Sequence, residues 1–191
     1  MKSNAEKKIQ SQILNGIDVG AVLQTVEEVS KDPAKAQTRW KVVTSWQGGT
    51  RTETQVDACE IAGQVVRKNF QIHTDEPFEL FGTNLAPNPQ ETLMAAFNAC
   101  MTVGYAAQCA LEGVELEELR IETQGDIDLR GFFSLDPNVK PGYDELRYTV
   151  HIKGKGTPEQ FRKIHEAVSA TSPNRYNLSH AIRLKSDLVV H

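Results

Sequence analysis

Residues 84 to 113 read N-L-A-P-N-P-Q-E-T-L-M-A-A-F-N-A-C-M-T-V-G-Y-A-A-Q-C-A-L-E-G, and no charged side chain occurs from Thr92 to Leu111. Pro87 and Pro89 make the first part a stiff loop, because each proline fixes its own φ and biases its predecessor away from helix. Asn88 is placed to cap a helix whose first residue is Pro89, where a missing amide N–H costs nothing, and Gly113 is placed to stop it. About twenty uncharged helical residues could span a bilayer. Thr92, Asn98, Thr102 and Gln108 interrupt the stretch, however, and its flanks are Glu91 and Glu112 rather than Lys or Arg, so it reads as a helix buried in protein. A helix without a polar face needs cover all round, more than one modest sheet supplies. A second copy of the chain is the obvious remaining cover, and a homodimer is expected.

Upstream, the period changes from helical to two. Trp40, Val42, Thr44 and Trp46 alternate with Lys41, Val43 and Ser45 up to Gly48-Gly49, Thr50 to Ala58 returns, and Ala62-Gly63 precedes a third strand from Val65 to Thr74. Further upstream, Asp18 caps a short amphipathic helix over 17–30 that ends at Asp32-Pro33. Residues 1–35 are therefore read as an N-terminal helical extension and 36–191 as the main domain. Downstream, strands are expected over Glu118 to Arg130 and Glu145 to Lys153. A helix follows behind the capping box Thr157-Pro158-x-Gln160 and is closed by Ser172-Pro173, and a last strand is expected over Ala181 to Val190. The fold class is α+β, with antiparallel sheets packed around one long apolar helix.

The 191 residues carry a formal net charge of −4, which supplies no basic surface for a phosphate backbone, so nucleic acid is excluded as a partner. Three cysteines, Cys59, Cys100 and Cys109, make neither a disulfide framework nor paired zinc ligands. Met1 to Gln12 has no apolar core of a secretory signal, so a reducing, cytoplasmic setting is expected. The five histidines show no ligand spacing and there is no glycine-rich phosphate loop; no metal, nucleotide or other cofactor is expected. Asp126 and Asp128, on one face of the expected strand, read as a solvated edge.

Cys100 lies near the middle of the uncharged helix. Free cysteine is commonly a small buried hydrophobe, and packing is one reading of Cys100, as it is of Cys59 and Cys109. A reactive thiolate is the other. The helix dipole acts only over the first turn, so ionising this sulfur would require an arginine.

The segment Asn84 to Cys100, with G-D-I-D-L-R-G at 125–131 and S-P-N-R-Y-N-L at 172–178, resembles the OsmC/Ohr family of bacterial peroxide-handling proteins, in order across about residues 40 to 190. The resemblance implies an intertwined dimer with the cysteine-bearing helices at its centre. It also implies a peroxidatic role for Cys100, an arginine from the early hairpin that holds the thiolate, and a glutamate at the helix start that orients the arginine. Arg51 is the best-placed arginine, with Arg39 and Arg67 as alternatives; Glu91 is the candidate glutamate, since Gln90 stands where the strongest peroxidases carry theirs. A solvated hairpin arginine and a first-turn glutamate favourable to the dipole are the plain readings of the same two residues.

Where two-cysteine members carry a resolving Cys-Pro, this chain has Ser172-Pro173, and a hydroxyl forms no disulfide. Cys109 lies ~13 Å further along the same helix, beyond disulfide reach of Cys100, and Cys59 could pair with Cys100 only if the fold brings its strand beside the helix. The resemblance thus implies a hydroperoxide reductase with one reactive cysteine and an external thiol reductant, acting on organic hydroperoxides. The alternative is a protein of the same fold that binds a small apolar ligand in a cavity at the dimer interface. Acyl or thioester chemistry is a third class, for which no Ser-His-Asp or Cys-His pairing is legible.

Overall fold

The structure, a computed structural model, describes residues 12–191; the expectations for the first eleven residues lie outside it. It has antiparallel sheets and helices, the α+β class expected, and divides into two compact units, one ending at Leu93 and the other running from Met94 to His191.

The first unit begins with a minimal hairpin, β1 (Ile13–Leu14) and β2 (Ile17–Asp18), turned by Asn15 and Gly16 at φ +53° and +77°. Asp18 then caps α1 (Val19–Lys31) by accepting the Ala21 N–H, as its position predicts, and Asp32 ends the helix. Next come β3 (Thr38–Trp40), β4 (Val43–Trp46), β5 (Thr52–Ile61) and β6 (Gln64–Thr74). One edge of β5 pairs along its length with β6, and the other is shared by β3 and β4. The alternation expected to run from Trp40 to Trp46 is therefore interrupted. Register shifts by one residue between Trp40↔Cys59 and Val43↔Gln55, and β5 shifts against β6 between Val56 and Ala58. A bulge bends a strand and tightens its twist, and here both edges of β5 slip at the same place. Both expected turns are present: Gly48 and Gly49, and then Ala62 and Gly63, all have positive φ.

The second unit is organised on α2 (Pro89–Leu111), whose first turn belongs to the first unit. Phe97, Met101, Tyr105 and Cys109 recur at every fourth position and form one buried stripe. Against it pack Ile164 and Val168 of α4 (Pro158–Thr171), Val114, and the inner faces of β7 (Leu116–Gln124) and β8 (Arg147–Gly154). Thr157 and Gln160 close the predicted capping box at the start of α4. Gly104 sets the spacing of the two helices, since a Cβ there would lie 3.0 Å from Val168 Cγ1. On the opposite side of α2, Ala95, Ala99 and Val103 are exposed among the described residues.

Two expected strands are corrected. G-D-I-D-L-R-G does not continue β7; the Asp128 carboxylate accepts the Arg130 N–H and pairs with its guanidinium, which starts the single-turn helix α3 (Leu129–Phe132). A side chain that satisfies the backbone locally removes the incentive to join a ladder. Asp126 and Asp128 therefore do not share a strand face. The segment Ala181 to Val190 pairs with no strand among the described residues and is exposed, Leu184, Leu188 and Val190 included. Between α4 and that segment lies α5 (Pro173–Ser179), a helix beyond the expected stop of α4 at Ser172-Pro173.

Candidate active site around Cys100

In the first unit a buried carboxylate ties the hairpin turn to the loop that leads into α2. Asp75, at the end of β6, is 1% exposed. It accepts hydrogen bonds from the hydroxyls of Thr50 and Thr83, both at 2.6 Å, and from the N–H groups of Glu76, Thr83 and Leu85. Its own N–H donates to Pro87 O at 3.2 Å. These donors, Thr50 first and Thr83 next, hold its carboxyl well below the usual carboxylate range, against the opposing effect of burial. Sequence reasoning missed Asp75. A lone Asp after a strand carries no pattern of its own, although two threonines and a proline-bounded loop were there to receive it.

Arg51 follows the Gly48-Gly49 turn, next to Thr50. Its guanidinium donates to the turn carbonyls of Gln47 (3.2 Å) and Gly48 (3.5 Å), and among the described residues no carboxylate forms an ion pair with it. Arg39 pairs with Glu60 across the sheet at 3.7 Å. Glu91 closes a capping box at the start of α2: its Oε2 accepts the Asn88 N–H and the Asn88 side chain accepts the Glu91 N–H, both at 2.8 Å. That satisfies two of the helix's orphan donors, as a first-turn glutamate is placed to do.

In the second unit, Cys100 is half-buried on α2, one turn beyond Ala96, whose carbonyl accepts the Asn174 amide at 2.9 Å. The Cys100 Sγ lies 3.4 Å from Ser172 Oγ, a pairing across 72 residues. Ser172 is 6% exposed. It ends α4 and also caps α5, where its hydroxyl oxygen accepts the Arg175 N–H at 3.3 Å. The Arg175 guanidinium, half-buried, donates to Tyr148 Oη (3.3 Å) and to Ser169 O (2.9 Å), with no carboxylate in ion-pair range among the described residues. Tyr148 meets Phe97 edge-on at 5.1 Å. Phe97, Tyr148, Arg175 and Leu178 line a cleft of about 360 Å³. The S-P-N-R motif thus folds its serine against the cysteine; its arginine was not singled out from sequence, although it belongs to the same short motif.

The other two sulfurs are closed off. Cys59 is buried in β5, and Cys109 is fully buried in the stripe of α2, where burial pushes its thiol up. All three cysteines are free. Tyr105 is buried with its hydroxyl 2.5 Å from His165 Nδ1, and desolvation pushes its phenol up to about 12, so the pair is a core contact closed by a surface histidine. Among the described residues no group of three His, Cys, Asp or Glu side chains could hold a metal, and no helix is long and apolar enough to cross a membrane.

The family model for OsmC-like proteins matches residues 82–187, the stretch that contains α2, the paired strands β7 and β8, Cys100 and Ser172. The chain belongs to the OsmC-like family. No curated protein matches it. Solved structures with this fold include an OsmC-like protein from Mycoplasma pneumoniae, 13% identical with a TM-score of 0.58 over 74% of this chain and 87% of that one. An OsmC-like protein of unknown function from Vibrio cholerae is 13% identical, with a TM-score of 0.54 over 72% and 91%. A protein from Psychrobacter arcticus is 16% identical, with a TM-score of 0.54 over 70% and 84%. At these identities the likeness speaks for the OsmC-like fold alone.

Proposed function

We propose that this OsmC-like protein is a thiol-dependent hydroperoxide reductase with Cys100 as its single nucleophile. The observation that carries the reading is the contrast among the three free thiols: Cys59 and Cys109 are buried, whereas Cys100 is partly open and has a hydroxyl at 3.4 Å. The Cys100 thiolate attacks the terminal oxygen of ROOH; the S–O bond forms, the O–O bond breaks, and the alkoxide takes a proton from water to leave as ROH. The sulfur is left as sulfenic acid. The hydroxyl of Ser172 forms no disulfide, and in this reading one external thiol displaces water to give a mixed disulfide while a second releases Cys100 with the reductant oxidised. Organic hydroperoxides are the substrate class, because an uncharged helix favours an alkyl tail. Arg51 is assigned as the guanidinium that stabilises the thiolate, and Glu91 as the carboxylate that orients it in addition to capping α2.

The unit of function is a homodimer. Ala95, Ala99 and Val103 leave one side of α2 exposed without a charge, and the exposed segment Ala181 to Val190 carries a strand's alternation without a strand partner among the described residues. Sedimentation equilibrium at micromolar concentration is expected to return twice the chain mass; a monomer would overturn the assembly.

Stopped-flow consumption of cumene hydroperoxide, with dithiothreitol as reductant, tests the chemistry. The expected result is faster turnover than with hydrogen peroxide and loss of turnover in Cys100→Ser. Equal, slow rates for both oxidants would instead favour the second reading, a binder of small apolar ligands, for which the Phe97, Tyr148 and Leu178 wall of a cleft that Asp144, Glu145 and Arg175 also line is the supporting feature.

A further inference from the structure

We infer that Ser172 is the hydrogen-bond donor that prepares the Cys100 sulfur for reaction, so that the position next to the nucleophile is an active part of the site and not only a missing thiol. The inference rests on the proposed role of Cys100.

A serine hydroxyl has one proton to give and two lone pairs to fill. At Ser172 one lone pair takes the Arg175 N–H, at 3.3 Å. The residue is 6% exposed, so bulk water does not compete freely for the remainder. Among the described residues, Ser172 Oγ is the one hydrogen-bond partner of Cys100 Sγ. With Cys100 as a thiol, the S–H donates into the second lone pair. With Cys100 as a thiolate, the hydroxyl turns and donates to the sulfur. No backbone has to move between the two states, because the Arg175 N–H holds the oxygen in both.

A hydrogen bond to an ionised partner is roughly twice as strong as one between neutral groups. The hydroxyl therefore favours the thiolate, the form that attacks ROOH. It stays unreacted when the sulfur becomes sulfenic acid, since it contributes no S–S bond, and it leaves the oxidised sulfur to the external thiol.

Iodoacetamide alkylation of Cys100 in the full chain, followed by mass spectrometry between pH 5 and 10, reads this bond without any peroxide. Ser172→Gly is the principal variant, because glycine is nearly as good an N-cap as serine and removes the hydroxyl together with its Cβ. Ser172→Asp keeps the cap and replaces the donor with a charged acceptor. The Ser172→Gly profile is expected to move to higher pH, with alkylation at pH 7 slowed on the order of tenfold. Ser172→Asp should move further in the same direction, and Ser172→Thr, which keeps a hydroxyl, should restore the wild-type profile. A purely structural role would lower the melting temperature of Ser172→Gly and leave the profile in place. An unmoved profile in Ser172→Gly overturns the inference, whatever the charge of Ser172→Asp does, and leaves the peroxidase reading standing. A moved profile in a protein that consumes no hydroperoxide supports the bond and counts against the reading.

Discussion

The two units of this chain spend their apolar residues in opposite ways. From Met94 onward, Met101, Tyr105, Cys109, Val114, Ile164 and Val168 are closed into one core, each at 1% exposure or less. In the unit that ends at Leu93, Trp40, Val43, Trp46, Val65 and Phe70 lie on the sheet with much of their surface open, and the most buried side chain is the carboxylate of Asp75. One region is held by burial, the other by ladders and a polar knot. The residues proposed for the site divide in the same way: the cysteine and its serine sit on the packed unit, while Arg51 and Glu91 sit on the open one.

The largest effect that tests this contrast is a cavity. Met101→Ala should lower unfolding free energy by about 2–5 kcal/mol, as large-to-small changes in closed cores do. Phe70→Ala should stay within about 0.5 kcal/mol for a monomer, as an exposed position allows. Urea titration at several protein concentrations measures both. A Phe70→Ala cost that equals the Met101→Ala cost would break the comparison and place a partner over the sheet.

A smaller effect sharpens the polar half. The Asp75 carboxyl has its value depressed in the folded chain, so its contribution is fully present above the ordinary carboxylate value of about 4 and is lost as pH falls through the lower folded value. Melting temperature should therefore decline below about pH 4 in the wild type, and Asp75→Asn should be less stable at pH 7 with a shallower acid decline. Equal acid slopes for the two proteins would show that the knot does not hold the unit. The smallest effect concerns the capping box. Glu91→Ala should cost about 1 kcal/mol, whereas Glu91→Gln, which keeps an acceptor for the Asn88 N–H, should be close to neutral by thermal melting. A loss of hydroperoxide turnover in Glu91→Gln without a loss of stability would separate its assigned part in catalysis from its cap.

What the sequence disclosed follows range. The Asn88 cap, the Thr157 capping box, the glycine turns and the length of α2 depend on neighbours within a few residues, and all were legible. Asn15-Gly16 was equally local and was passed over because its strands are only two residues long. The misread segments had a local pattern whose outcome depended on something else. Asp128 could alternate in a strand or cap a turn, and its bonds to Arg130 decided for the turn. Ala181 to Val190 alternates well, yet alternation makes a strand only where a partner edge is offered. The approach of Ser172 to Cys100 was beyond reach because no periodicity links residues 72 apart. The family motif named both residues but not the bond between them.

Gly104 and Val168 each stand one helical turn from Cys100 and Ser172, so the two pairs are consecutive rungs of one ladder between α2 and α4. An alanine at position 104 would bring its Cβ to 3.0 Å from Val168 Cγ1, so the valine would have to give by a few tenths of an ångström one helical turn from the sulfur–oxygen pair.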